Sequence, residues 1–268
     1  MPLNLSKDFQ SNPPMHPIIA RFGPVTIYSY GMMVAIAFIT GICLARLEAP
    51  RKNLTPDLIY DLAFFLVIGS LAGARIYYLA FFDPSSFIKD PVSIFRIWEG
   101  GLAVHGAMLG GIMASALFAR VRRLSFWDLA DIVAPSIILG QAIGRFGCFL
   151  NGCCFGIPTK SVFGVVFPEG SLADAAYHGL AVHPAQLYEM ALNIFGFFIL
   201  WSIRKRIKFP GGLFLIYLMM YSVIRLMISG IRGDSLYIWG SDIKIAHAIS
   251  AVILVTSAII FMKRGKSA

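Results

Sequence analysis

The sequence is poor in charge. Only 14% of its 268 residues are Asp, Glu, Lys or Arg, against roughly 25% in an ordinary soluble domain. The charge that is present leans one way, with 14 acidic residues against 23 basic ones and a formal net charge of +9. A chain of this length with so few charges does not read as a soluble globule. The stretch from Met1 to Val25 lacks a basic start, an apolar core and a small-residue cleavage site, so no cleavable signal is expected. No internal repeat is evident, which weighs against the inverted-repeat transporter folds. No linker or low-complexity tail interrupts the chain, and residues 1–268 read as a single transmembrane domain. Cysteine is scarce too: Cys43, Cys148, Cys153 and Cys154 are the four. Cys43 sits in an apolar run and reads as a packed residue.

Apolar length is what the chain has instead. It is 57% hydrophobic, with a mean hydropathy of +0.74. Seven nearly charge-free runs are long enough to cross a bilayer core at about 1.5 Å per residue. They lie near 27–46, 58–82, 101–120, 129–149, 186–203, 211–231 and 243–262. The fold class expected is therefore all-α, a polytopic integral membrane protein of about seven transmembrane helices with the bilayer as its surroundings. Lys and Arg set the orientation. Arg46, Arg51 and Lys52 fall in the first loop, and Arg120, Arg122 and Arg123 in the third. Arg204, Lys205, Arg206 and Lys208 fall in the fifth loop, and Lys263, Arg264 and Lys266 in the tail. These segments share one side, which is cytoplasmic by this rule. The opposite side has fewer basic residues (Lys7, Arg21, Lys89, Arg96, Lys160, Arg232 and Lys244). Asp83, Asp90, Glu99, Glu169, Asp174, Asp234 and Asp242 partly offset them. The N-terminus is expected outside and the C-terminus in the cytoplasm. The positive balance is thus a topology signal, and nucleic acid is not an expected partner.

Ionisable groups inside spans are costly and become functional candidates. Here they are Arg75, His105, Arg145, Glu189 and Arg225, with Tyr30, Tyr77, Tyr78, Tyr188 and Tyr221 nearby. Followed through the alternating direction of the spans, all five ionisable groups fall toward the outer leaflet. The orientation used loop charges only, so this agreement is independent of it. The plainer alternative is snorkelling of arginines to the interface, but His105 and Glu189 are too short to snorkel far.

Three arginines against one carboxylate leave positive charge in a low-dielectric place, and such an excess calls for an anion. Guanidinium forks match phosphate oxygens, and a phospholipid headgroup is the anion at hand. With Glu189 paired to one arginine, at least one other remains for phosphate. His105, among Gly100, Gly101, Gly106, Gly110 and Gly111, could serve as a general base near neutral pH or be structural. Tyr221 and Arg225 are four residues apart on one helix face, and Arg232 lies seven further on, at the outer mouth. The run from Gly144 through Arg145, Cys148, Asn151, Gly152, Cys153, Cys154 and Gly156 is too glycine-rich for a plain helix. It reads as an irregular segment lining a cavity. Its C-x4-C-C spacing, with His178 and His183 further on, is not a standard zinc pattern, so no metal or cofactor is expected. A disulfide on an oxidising side and simple packing of small residues both stay open. His183-Pro184-Ala185-Gln186-Leu187-Tyr188-Glu189 starts the fifth span, with Pro184 suited to a first turn. Gln186, Glu189 and Asn193 follow as a polar stripe.

These residues resemble the bacterial phosphatidylglycerol–prolipoprotein diacylglyceryl transferase family over nearly the whole chain. The anchors are Tyr30-Gly31, Gly73-Ala74-Arg75, Glu99-Gly100-Gly101 and His105-Gly106. The Gly144-Arg145-x-Gly147 run through Asn151-Gly152 and Gly156 looks like the family signature. The His183-to-Glu189 run, and Gly212-Leu213-Phe214 leading to Tyr221 and Arg225, complete the match. The resemblance implies transfer of a diacylglyceryl group from phosphatidylglycerol to the lipobox cysteine of a prolipoprotein signal peptide, giving a thioether and glycerol phosphate. It implies a bacterial inner membrane protein with its site toward the outer leaflet. It also implies that Arg145 and Arg225 hold phosphate and that His105 is a candidate base for the thiol. Tyr30, Arg75, Asn151, Gly156, Glu189, Tyr221 and Arg232 would line the site. Cys148 stands where the family usually has Asn, Cys153 where it has Glu, and Ser229 where a Glu is common, so this site is more positive than usual. A relative acting on another lipid or acceptor, a lipid transporter and a non-catalytic scaffold are the competing readings. Polar residues through the cytoplasmic half would favour the transporter.

Overall fold

The computed structural model describes residues 17–23, 25–84, 90–96, 100–233 and 244–266. Glu99 of the Glu99-Gly100-Gly101 anchor, the charges Lys7, Lys89, Asp234 and Asp242, and most of the stretch read for a signal lie outside them. Seven helices are long and apolar enough to cross a membrane. They are α1 (Ser29–Glu48), α2 (Leu58–Phe81), α3 (Val104–Val121), α4 (Phe126–Leu150), α6 (Ala185–Ile203), α7 (Gly212–Ser229) and α8 (Ile245–Lys266). All seven expected spans are present, with ends shifted by no more than a few residues. A polytopic, mostly helical membrane protein is therefore what the chain forms. Many large apolar side chains stay exposed on these helices, among them Phe64, Ile68, Met113, Phe195 and Val252. Such faces are tolerated where lipid covers them.

Two features go beyond a helix-only expectation. A short antiparallel hairpin precedes α1, pairing β1 (Ile18–Phe22) with β2 (Val25–Tyr28). The Ser29 N–H, at the start of α1, donates to the Pro17 carbonyl at 2.9 Å, tying hairpin and helix together. The second feature is the long segment between α4 and α6. It carries a one-and-a-half-turn helix, α5 (Leu172–Tyr177), capped by Ser171 Oγ on the Asp174 N–H at 3.0 Å. Phe155, Phe167, Ala173 and Val182 form its own small core.

The chain divides into two compact units, residues 42–132 and residues 1–41 with 133–268. In the first, α2 and α3 meet along a glycine seam. A Cβ on Gly110 would stand 2.1 Å from the Gly69 carbonyl oxygen, and one on Gly73 would stand 2.4 Å from that of Gly106. Gly69-x3-Gly73 faces Gly106-x3-Gly110, so small residues at four-residue spacing let the backbones touch. At one end of this unit Pro50 halts α1 in a 3-10 turn, Ala49–Lys52. Lys52 Nζ there reaches Asp128 and Asp131 carboxylates at 2.7 Å each, and Arg51 Nε reaches Glu48 at 2.6 Å. Pro135 deprives the Asp131 carbonyl of its helical donor, and Arg51 Nη2 approaches that oxygen at 3.4 Å. Asp131 and Glu48 are buried. Sequence reading missed this ion network because its members sit at loop–helix junctions that look solvated in one dimension.

The second unit packs α4, α6 and α7 through Ala134, Ile138, Leu200, Leu213 and Tyr217. Ala185, Ile224 and Ile228 extend the contact of α6 with α7. α8 packs along α7.

Candidate functional site

The second unit gathers most of the polar residues singled out above. Arg145 projects from the last turns of α4 and Glu189 from the first turns of α6. Arg145 Nη2 lies 2.9 Å from Glu189 Oε1. Arg232, just past α7, puts Nη1 3.9 Å from the other carboxylate oxygen. One carboxylate therefore answers two guanidiniums, and it is almost wholly buried, at 5% side-chain exposure. Arg225 on α7 is near enough to Arg232, Glu189, Tyr221 and Arg145 to feel their charges. Its Nη1 is buried without a hydrogen-bond partner among the described residues. A buried guanidinium N–H with no acceptor is expensive, so this atom points to a ligand that supplies one.

Backbone knots hold the three arginines in register. Gly156 donates to the His183 carbonyl at 2.9 Å, and Ile157 to the Ile231 carbonyl at 2.8 Å. Gly156 also forms a bridge with Arg232. The approach is too close for a side chain, since a Cβ on Gly156 would stand 2.7 Å from His183. The irregular segment after α4 thereby joins the start of α6 to the end of α7, which brings Arg232 to Glu189. Gly147 opens a contact of the same kind with α1, where a Cβ would meet Met33 at 2.9 Å and Tyr30 at 3.4 Å. Tyr30 is half-exposed and lies within electrostatic reach of Arg145 and the cysteines.

The cysteines are closer than their spacing suggested. The Sγ atoms of Cys148, Cys153 and Cys154 all lie within 4.8 Å of one another, and all three are free thiols. The Cys153 N–H donates to the Cys148 carbonyl at 3.1 Å, and Gln186 Nε2 donates to the Cys153 carbonyl at 2.8 Å. The Cys153 thiol donates to the Cys148 carbonyl at 3.7 Å. Cys154 has φ 64°, a left-handed conformation that side-chain-bearing residues rarely adopt. Its thiol is pushed down by hydrogen bonds from Cys148 and Cys153, and further by the Arg232 and Arg145 guanidiniums.

Gln186 and Asn193 of the polar stripe are buried, and Gln141 on α4 joins them as the one that sequence reading missed. Gln141 Nε2 donates to the Tyr217 hydroxyl at 3.1 Å, while Gln141 Oε1, Gln186 Oε1 and Asn193 Oδ1 are buried without partners among the described residues. A polar amide inside an apolar run was the available signal. His183 Nδ1 stands 3.3 Å from the Tyr188 hydroxyl.

Arg75 and His105 belong to the other unit. Arg75 is 5% exposed and is spent on backbone carbonyls. Nη2 and Nε reach Ser93 O at 2.6 and 3.2 Å, and Nη1 reaches Gly100 O at 2.7 Å and Gly101 O at 3.3 Å. Gly100 and Gly101 take φ 85° and 68°, which turns both carbonyls onto one guanidinium at no steric cost. Arg75 thus sets the approach to α3. His105, in the first turn of α3, is exposed, with its ring 6.3 Å from that of Tyr77.

A family model described as prolipoprotein diacylglyceryl transferase matches residues 17–263. The chain is 41% identical over 259 residues to the phosphatidylglycerol–prolipoprotein diacylglyceryl transferase of Oceanobacillus iheyensis, covering 95% of this chain and 90% of that one. It is 41% identical over 245 residues to the protein of that name from Trichormus variabilis, covering 87% and 84%. It is 40% identical over 253 residues to that from Geobacillus kaustophilus, covering 94% and 93%.

Proposed function

The chain belongs to the prolipoprotein diacylglyceryl transferase family, and on that premise we propose its reaction and the residues that carry it. It is a membrane transferase that takes the diacylglyceryl group of phosphatidylglycerol to a prolipoprotein, the first step of lipoprotein maturation. The acceptor is the thiol of a lipobox cysteine in the signal peptide. A sulphur–carbon bond forms at the glyceryl carbon bearing the phosphate ester. The carbon–oxygen bond breaks, and its electron pair leaves with glycerol phosphate. The site faces the outer leaflet of a bacterial inner membrane, with the N-terminus outside and the C-terminus in the cytoplasm.

The observation that carries this reading is the charge of the second unit's polar cluster. Arg145, Arg225 and Arg232 gather about Glu189, and Arg225 has a buried Nη1 with no acceptor among the described residues. Guanidiniums outnumber the carboxylate three to one among these four side chains, which suits a phosphate diester in the ground state. It suits the phosphate monoester leaving group, with its extra developing charge, still better. Glu189 orients Arg145 by its 2.9 Å contact. Arg232 guards the mouth, and Tyr30, Tyr221 and Asn151 line the walls. Gly156 keeps Arg232 in place through its bridge. Arg75 acts on the approach to α3 as a positioning residue. By the family resemblance His105 is a candidate base for the thiol proton, with the arginine environment as the other candidate activator.

The test is direct. Purified chain is incubated with phosphatidylglycerol and a lipobox peptide, and the peptide is weighed by mass spectrometry. A diacylglyceryl mass on the cysteine is expected, lost by about 100-fold or more in Arg145→Ala and Arg225→Ala. A folded wild-type chain that adds no such mass overturns the reading.

A further inference from the structure

We infer that Cys148, Cys153 and Cys154 form a binding site for a soft divalent cation of the zinc class, with one coordination position left for the acceptor thiol. The second half of this inference rests on the transfer reaction proposed above, and the first half does not. A tetrahedral ion with bonds of about 2.3 Å places its sulphurs about 3.8 Å apart. The three Sγ atoms already lie within 4.8 Å of one another, so small side-chain rotations close the site. The donors are thiols alone, which select soft cations over calcium or magnesium.

The frame around them is built. Cys148 lies in the last turn of α4, and its carbonyl accepts the Cys153 N–H. Gln186, buried on α6, fixes the Cys153 carbonyl at 2.8 Å. Neighbouring residues in extended chain point opposite ways, and the left-handed φ of 64° at Cys154 accompanies a thiol folded back toward the other two. Such backbone strain clusters where a side chain must be aimed. Three thiolates on a divalent ion carry a net charge of −1, and the Arg145 and Arg232 guanidiniums are within electrostatic reach of Cys154 to balance it.

No fourth His, Cys, Asp or Glu joins the group among the described residues. Structural zinc sites close with four protein ligands, whereas catalytic ones keep three and leave a place for water or substrate. Here the proposed substrate is itself a thiol, the same ligand type as the other three. A coordinated thiol is deprotonated, its proton passing to water. The bound thiolate attacks the glyceryl carbon, the carbon–oxygen bond breaks, and glycerol phosphate leaves with the electron pair while the metal keeps its oxidation state. The neutral thioether product is a weaker ligand than a thiolate and departs. This is a route to the thiolate that needs no side-chain base in contact with the sulphur.

The full chain, reduced, stripped by chelator and kept in detergent, is titrated with cobalt(II) as an optical probe. A sulphur-to-cobalt charge-transfer band saturating at one equivalent is expected. It should be lost in Cys148→Ser and Cys153→Ser and kept in Cys43→Ser. No band in folded, reduced wild type, or a band unchanged in Cys153→Ser, overturns the site. A lipobox peptide should perturb the band while its Cys→Ser analogue does not, and identical spectra with both peptides overturn the open position. Transfer is then compared with and without zinc. At pH 7 a free thiol of pKa ~8.5 is about 3% thiolate, so metal removal should slow transfer by up to about 30-fold, the ratio shrinking as pH rises past that pKa. Equal rates with and without zinc refute the role in transfer while the transferase reading stands. No transfer under either condition removes the transferase reading, and the cobalt titration still decides the site.

Discussion

Replacing Glu189 with Gln tests the electrostatic design of the site, because it removes one charge and almost no volume. The carboxylate meets Arg145 at 2.9 Å and Arg232 at 3.9 Å, and it is 5% exposed. At an effective dielectric of ~20 these contacts amount to about 6 and 4 kcal/mol of attraction. Desolvation offsets much of that, so breaking such a pair costs about 3–5 kcal/mol net. At 2–4 °C per kcal/mol for a chain of this size, the melting temperature should fall by roughly 10 °C. The same change should strengthen anion binding, because Arg145 and Arg232 lose their competitor. Phosphatidylglycerol in the detergent micelle should therefore raise the melting temperature of Glu189→Gln more than that of wild type, and phosphatidylcholine should not. Thermal-shift curves with the two lipids at equal mole fraction decide it. A variant that melts with wild type, or gains equally from both lipids, refutes the idea that Glu189 stands in for phosphate between two arginines.

Three further outcomes follow from particular contacts. Arg75→Lys should destabilise the chain by about 2–4 kcal/mol in thermal unfolding, because one ammonium cannot serve the Ser93, Gly100 and Gly101 carbonyls together. Gly110→Leu should abolish folding or lower stability steeply, since its Cβ would lie 2.1 Å from the Gly69 oxygen, whereas Gly140→Ala, whose Cβ meets nothing closer than 3.9 Å, should melt with wild type. Alkylation of Cys154 in reduced, metal-free protein should fall less between pH 8 and 6 than that of a free thiol, because its thiol is held below the ordinary range. A free thiol of pKa ~8.5 loses about 80-fold over that interval, and an equal loss at Cys154 refutes the shift.

The spans were legible because bilayer thickness imposes one length on every crossing helix, and apolar runs record it directly. The arginines inside the spans were legible for the same reason, being exceptions to that pattern. Pairing of Glu189 with one arginine followed from scarcity of acid. Other features depend on backbone geometry that residue types do not encode. Arg75 looks like a ligand residue by type, yet its partners are carbonyls presented by two glycines of positive φ. The cysteines spaced C-x4-C-C converge only through the left-handed turn at Cys154. Asp131 and Glu48 carry no sequence signal of their own, and tertiary packing buries them with Lys52 and Arg51. The hairpin before α1 is two strands of five and four residues, too short to stand out beside long apolar runs.

The bridge between Gly156 and Arg232 has a consequence for biogenesis. The α2–α3 seam joins helices adjacent in the chain, so that pair can dock while later spans are still being synthesised. The arginine cluster cannot, because Arg145 and Arg232 are separated by nearly ninety residues. At about 5–20 residues per second, roughly 4–18 s pass between their emergence. For the first half of that interval Arg145 precedes even Glu189, and Arg225 and Arg232 join only at its end. A nascent chain therefore completes the proposed anion site late, after α7 has been made, and a truncation ahead of Arg232 should insert in the membrane without gaining affinity for anionic lipid.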